Sequence, residues 1–254
     1  MSLIESSDHD GGVRRLALTK PPANAIDERL LRDLGAALEA AASDAAVRAV
    51  VLTGSGAFFC AGFDFAAPRR DDEIAGEMYG LYRDVHLALL TLPKPTVAAV
   101  NGHLIAGGVV LALACDYRLG LEGDYRVGLN EVAVGASFPR AAAEIVRLRL
   151  SHARAAELML GASLYPASQA VRLELVDELL PADRFTDTVL RRAARLGGYP
   201  RESYAHTKAS LIGEAVARIR SETEAEAFAA MAVWISAESR VARHRQRQAL
   251  GVSK

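Results

Sequence analysis

Short apolar runs rich in valine alternate with amphipathic stretches over the first two-thirds of the chain, and this alternation restricts the fold to the α/β class. Val13 to Leu18 reads as a strand, and Pro21-Pro22-Ala23-Asn24-Ala25-Ile26 as a rigid turn. Asp27 then stands where it can N-cap a helix whose apolar positions, Leu30, Leu31, Leu34 and Leu38, recur at three- and four-residue spacing. Arg48 to Thr53 is a second strand, ending at Gly54-Ser55-Gly56. A charged loop (Arg69 to Glu73) leads into a predicted helix from Ile74 to Leu92, stopped by Pro93 and Pro95. Thr96 to Val100 is a third strand, and the almost wholly apolar run from Gly107 to Ala114 reads as a buried helix. Asp116 to Leu121 and Tyr125 to Val127 read as short strands. Beyond Pro139 the periodicity is helical, including Ser151 to Leu160 with Ser151 as its cap. A soft boundary falls near Leu190, separating residues 1–190 from a C-terminal helical region, 191–254. In that region, Glu214 to Leu250 reads as one charged helical tail that packs on another domain or subunit.

Composition excludes several classes of function. Lysine plus arginine number 30 against 31 acidic residues, so no global field recruits nucleic acid or an anionic membrane surface. The run Arg240, Arg243, Arg245, Arg247 is the one basic candidate, and it reads as a solvated helix face or a phosphate contact. The longest apolar stretches are interrupted too early to span a bilayer, by Asn101-Gly102-His103 and by Asp116 and Arg118. The start of the chain, Met1 to Asp10, is polar and acidic and does not read as a signal peptide. Two cysteines, Cys60 and Cys115, make no disulfide framework, and a reducing cytoplasmic setting is expected. None of the six histidines pairs with another at metal-ligand spacing, and Gly54-Ser55-Gly56 lacks the third glycine of a dinucleotide fingerprint. Neither a metal nor a nicotinamide cofactor is expected.

Three segments remain as candidates. Ala61-Gly62-Phe63-Asp64-Phe65 and Asn101-Gly102-His103-Leu104-Ile105-Ala106-Gly107-Gly108 both follow strands and carry small residues where a strand hands over to a helix. Small residues let a ligand approach the backbone, and helix N-termini leave N–H groups aimed outward. Two such turns can clasp one oxygen. On composition alone, the plainer reading of tight turns and close helix packing carries equal weight. The third segment is Gly128-Leu129-Asn130-Glu131 followed by Val132-Ala133-Val134. An acid in such apolar company is a salt-bridged structural residue or a base of raised pKa, and spacing alone favours the former. Cys60, between Phe59 and Ala61, reads as buried rather than nucleophilic. His103 reads as a structural histidine, and Asp64 as a cap on the following helix.

Taken together and in order, these segments resemble the signature of the crotonase (enoyl-CoA hydratase/isomerase) superfamily. The likeness extends over residues 13 to 250. Lys20-Pro21-Pro22-Ala23-Asn24-Ala25-Ile26 is similar to the family's N-terminal turn, and Lys94-Pro95 with Val97-Ala98-Ala99-Val100-Asn101-Gly102 to its central strand. Ala170 with Leu175-Val176-Asp177-Glu178 is similar to the later segment in which a helix leads into a valine-aspartate strand. The resemblance implies a repeated ββα spiral core with a C-terminal helical region that mediates trimers, commonly paired as dimers of trimers. It also implies an acyl-CoA thioester as substrate, with coenzyme A carried as part of it. The oxyanion hole would be the backbone N–H groups of Phe63 and Gly107. Ala61 to Phe65 (Ala61, Gly62, Phe63, Asp64, Phe65) would line the thioester path, and Ala23, Ala25 and Ile26 the turn beside the CoA adenine.

The family's hydratases use two glutamates, whereas here only one of the matching positions is acidic. The first falls on Val110 and the second on Glu131. A missing partner argues against efficient water addition, because general acid–base help is typically worth ~100- to 10,000-fold. Cys115-Asp116-Tyr117-Arg118, then Gly128-Leu129-Asn130-Glu131 and Pro139, are more similar to the Δ3,Δ2-enoyl-CoA isomerase branch, in which a single base moves a proton from the α- to the γ-carbon. The alternatives are an enoyl-CoA hydratase working through Glu131 alone and a non-catalytic CoA-ester binder of the same fold. The acyl specificity would depend on Pro68 to Leu92.

Overall fold

The structure, a computed structural model, describes residues 2–64, 77–234 and 236–249. Two sheets organise it. The larger has six strands in the order β1 (Ile4–His9), β2 (Val13–Leu18), β3 (Ala49–Gly54), β5 (Thr96–Val100), β7 (Tyr117–Leu121) and β10 (Glu178–Leu180). All neighbours are parallel except β1 and β2. The smaller sheet has the order β4 (Phe58–Cys60), β6 (His103–Ile105), β8 (Arg126–Gly128) and β9 (Tyr165–Pro166), parallel except at β9.

The pairs β3/β4, β5/β6 and β7/β8 each deliver one strand to each sheet, and a helix follows each pair. These are α2 (Glu77–Leu90), α3 (Gly107–Ala114) and α4 (Arg140–Arg149), with α1 (Glu28–Ser43) between β2 and β3. This is the repeated ββα spiral that the resemblance implied.

The valine-rich runs are explained by burial on both faces of the large sheet. On β3, Val50 and Leu52 point into the main core while Ala49 and Val51 face a second apolar layer. That layer is supplied by α6 (Ala182–Gly197), through Phe185, Val189, Ala193 and Leu196. Helix α1 starts where expected: the Asp27 carboxylate accepts the Leu30 N–H at 2.8 Å, and Leu30, Leu31, Leu34 and Leu38 are buried. All eight residues of α3 are buried, as its sequence predicted. The helix expected over 74–92 is found as Glu77–Leu90, residues 74–76 lying outside the described residues together with the charged loop 69–73.

Other expectations need correction. Residues 4–9, read only as a polar start, form β1. The soft boundary near Leu190 falls within α6, which is continuous across it. Ser151 does occupy the N-cap of α5 (His152–Gly161) but does not cap it; its hydroxyl and N–H both go to the Glu174 carboxylate, at 2.9 and 2.6 Å. The expected single tail divides into the end of α7 (Arg201–Arg220), then α8 (Glu224–Trp234) and α9 (Ala237–Ala249). The first break carries a capping box, in which Glu226 accepts the Thr223 N–H at 2.9 Å and Thr223 Oγ1 accepts the Glu226 N–H at 3.3 Å. No helix of the described residues is long and apolar enough to cross a membrane.

Candidate active site

The first candidate turn is held by a ladder to the N-terminal turn. Ala61 N–H donates to Ala23 O at 3.1 Å, Ile26 N–H to Gly62 O at 2.7 Å, and Asp64 N–H to Ile26 O at 2.9 Å. Ile26 and Phe63 therefore form a parallel bridge in which residues 62 and 64 make the bonds. Phe63 is left with its own N–H directed away from Ile26.

Two residues that spacing did not reveal fasten this ladder. Asn24 is 1% exposed at φ 50°, its amide donating to Ser55 O at 3.0 Å and Phe58 O at 2.8 Å while its oxygen accepts the Lys20 N–H at 3.0 Å. The Lys20 ammonium meets Ala25 O at 2.9 Å, Asp27 at 2.8 Å and Asp64 at 2.6 Å. Asp64 thus serves that ion cluster, and the helix it was expected to cap, with Phe65, lies outside the described residues.

The second turn abuts the first. Gly107 is the first residue of α3, so its N–H has no acceptor within the helix. The residue before it, Ala106, has φ 51° and ψ −126°, a conformation that L-residues seldom adopt and that surrounding structure must impose. Its N–H is tied to Gly128 O at 2.9 Å and its carbonyl accepts the N–H groups of Val109 and Val110. A Cβ at Gly62, itself at φ +80°, would lie 2.7 Å from Ala106 Cβ and 2.9 Å from Gly107 N. At Gly108 it would collide with Cys60 O at 2.2 Å. The glycines here are therefore required for the close approach of the two turns.

Glu131 enters from the same Gly128 segment and sits at the head of a short 3-10 turn, Val132–Val134, closed by Ala136 N–H to Glu131 O at 2.8 Å. Its side chain is buried, and Oε2 has no hydrogen-bond partner among the described residues. Burial pushes its pKa up to about 7, only partly offset by the N–H groups of Glu131 and Asn130. No ion pair with a cation is found for it among the described residues. Of the valines around it, Val110 and Val134 are buried but Val132 is half exposed, at 50%. Cys60 is fully buried with its thiol pushed up to about 12, and His103 accepts the Arg126 N–H at 3.1 Å while stacking on Phe58 at 4.6 Å.

The wall beside the two turns is aromatic. The Phe63 ring packs against Tyr82 of α2 at 5.0 Å and against the edge of Trp234 of α8 at 5.2 Å. The Trp234 indole N–H donates to Ser137 O at 2.9 Å, so a C-terminal helix of the same chain closes over the loop after Glu131. Arg243, from the basic run on α9, donates to Trp234 O at 2.6 Å and ends α8.

Comparison with known proteins places this arrangement. Residues 8–243 match the family model described as enoyl-CoA hydratase/isomerase. The chain belongs to the enoyl-CoA hydratase/isomerase family. Among curated relatives, the human mitochondrial protein named enoyl-CoA delta isomerase 1 is 30% identical over 88% of this chain and 75% of its own length. A Mycobacterium avium protein named "Probable enoyl-CoA hydratase echA17" is 31% identical over 82% of this chain and 81% of its own length. The solved structure of human mitochondrial delta3-delta2-enoyl-CoA isomerase superposes with a TM-score of 0.91 at 24% identity, covering 98% of each chain, which establishes the shared fold.

Proposed function

We propose that this enzyme is a Δ3,Δ2-enoyl-CoA isomerase, shifting the double bond of a 3-enoyl-CoA to give the 2-enoyl-CoA. The observation that carries the reading is a buried carboxyl, Glu131, with one oxygen unpartnered among the described residues and a pKa near 7, beside a helix whose matching position is the inert Val110. In this reaction, Glu131 takes a proton from the α-carbon and returns it to the γ-carbon. Such a shuttle needs a group whose pKa lies between that of a resting carboxylate and that of an enolate. The N–H groups of Phe63 and Gly107 hold the thioester oxygen as it becomes a dienolate, and losing one such donor typically costs ~3 to 4 kcal/mol. The thioester path runs along Ala61, Gly62, Phe63 and Asp64, with Ala23, Ala25 and Ile26 beside the CoA adenine. Coenzyme A enters with the substrate, and no separate cofactor takes part.

The enzyme works in the cytoplasm as a homotrimer or dimer of trimers, with residues 191–254 supplying the contact. Exposed Leu211, Phe228 and Val241 on that region support this assembly. The second reading, hydration of 2-enoyl-CoA through Glu131, is favoured by the hydratase name of the Mycobacterium avium relative. Offering each substrate separately and following the absorbance of the conjugated thioester decides between them, since isomerisation creates conjugation and hydration removes it.

A further inference from the structure

Tyr82 is a fully buried tyrosine, 1% exposed, for whose hydroxyl no hydrogen-bond partner is found among the described residues. The oxygen is not among the sealed, unpartnered atoms of the interior, so it is open to a ligand that arrives beside it. The ring is placed by helix α2 at the meeting point of the two backbone turns. It lies 5.0 Å from the Phe63 ring, and its Cε2, the atom next to the hydroxyl-bearing carbon, is 3.9 Å from the point where a Cβ on Gly107 would stand. The hydroxyl end of the ring thus borders the Gly107 turn.

Behind it, the ring is backed by His86 at 3.8 Å, whose Nδ1 is anchored on Tyr82 O at 2.8 Å, so the phenol is fixed from the far side. Burial, with the nearby Glu131 charge added, raises the phenol well above its ordinary range, so it stays a hydrogen-bond donor at any pH where Glu131 works. An unsubstituted enoyl thioester offers the pocket one good oxygen acceptor, the thioester oxygen. As that oxygen gains enolate charge it accepts additional donors.

We infer that the Tyr82 hydroxyl is a third donor to the thioester oxygen, engaged as the dienolate forms. The inference rests on the oxyanion hole proposed at Phe63 and Gly107. It is tested with Tyr82→Phe, which keeps the ring and deletes only the hydroxyl. Thermal unfolding of the variant, kcat and KM on a 3-enoyl-CoA, and the absorption spectrum of bound 2,4-dienoyl-CoA are measured against the parent enzyme. The expected result is an unfolding temperature equal to or above the parent's and a kcat lower by about tenfold or more, since deleting an oxyanion donor typically costs 100- to 1,000-fold. KM should stay within a few-fold, and the red shift that carbonyl polarisation gives the bound dienoyl group should shrink. A variant that keeps both kcat and the red shift overturns the role of Tyr82 alone. A parent enzyme that gives no red shift overturns the hole at Phe63 and Gly107, and Tyr82 with it. If Tyr82→Phe lowers the unfolding temperature together with kcat, the hydroxyl is structural and the inference is wrong.

Discussion

At the scale of single residues, the proposed chemistry depends on Glu131 and on what surrounds it. Its folded pKa, about 7, lies above the ordinary 4.5. The stability it contributes is therefore fully present below pH 4.5 and is lost as pH rises through 7, because the fold favours the protonated form. At ~1.4 kcal/mol per pH unit of separation, the loss approaches about 3 kcal/mol. Denaturant unfolding of Glu131→Gln should match the parent near pH 4.5 and exceed it by up to that amount at pH 8.5. Activity runs the other way: kcat/KM of the parent should rise with pH and level off above an apparent pKa near 7, the pH at which the base becomes available. The neighbouring Val110 gives a second expectation. Val110→Glu should add measurable hydration of 2-enoyl-CoA to the parent's activity, and no gain would mean that water is kept out by something other than the missing acid. Glu131, Gly107 and Phe63 could be singled out as candidates from the sequence, because short ordered motifs specify them. Asn24, Lys20 and Ala106 were not, since their roles arise from carbonyls and carboxylates distant in sequence or from a backbone angle that alanine does not announce. Val132 was misjudged because an apolar residue in a 3-10 turn can face outward as easily as inward.

Elements were legible where their own periodicity or caps define them, as in α1 and α3, and illegible where a partner defines them. Strand β1 is polar along nearly its whole length because it is an edge strand, held by backbone pairing with β2 from Ile4↔Leu18 to His9↔Val13. The three-residue strands β4 and β6 were not read as strands, being too short to show alternation. Thr223 and Glu226 were a readable signal for the start of α8, at the spacing of a capping box. The C-terminus of α1 shows how a residue far along the chain can complete an element. Lys94, 7% exposed, donates to Ala41 O at 2.6 Å and Asp44 O at 2.7 Å, capping that helix from the segment before β5. A hydrogen bond to a charged group is worth about 1.5–3 kcal/mol, and its loss here leaves carbonyls unpaired. Lys94→Met should therefore cost roughly 2–3 kcal/mol in chemical denaturation while leaving KM unchanged.

For the whole molecule, the spiral brings three strand ends and the start of one helix to a single place. Glycine contacts at Gly62 and Gly108 fix how closely the turns meet, the Gly128 segment ties Glu131 to Ala106, and α8 closes the far side through Trp234. The C-terminal region was expected to serve contacts between subunits, and its part in the site of its own chain was hidden because nothing in the sequence links Trp234 to Phe63. The central claim is that one carboxyl does all the proton transfer. Its most direct test is the turnover of a 3-enoyl-CoA by Glu131→Gln, with binding of the CoA ester measured on the same protein. Isomerisation should fall by at least ~100-fold, the usual worth of a positioned acid–base group, with binding within a few-fold of the parent. Full turnover by the variant would contradict the account.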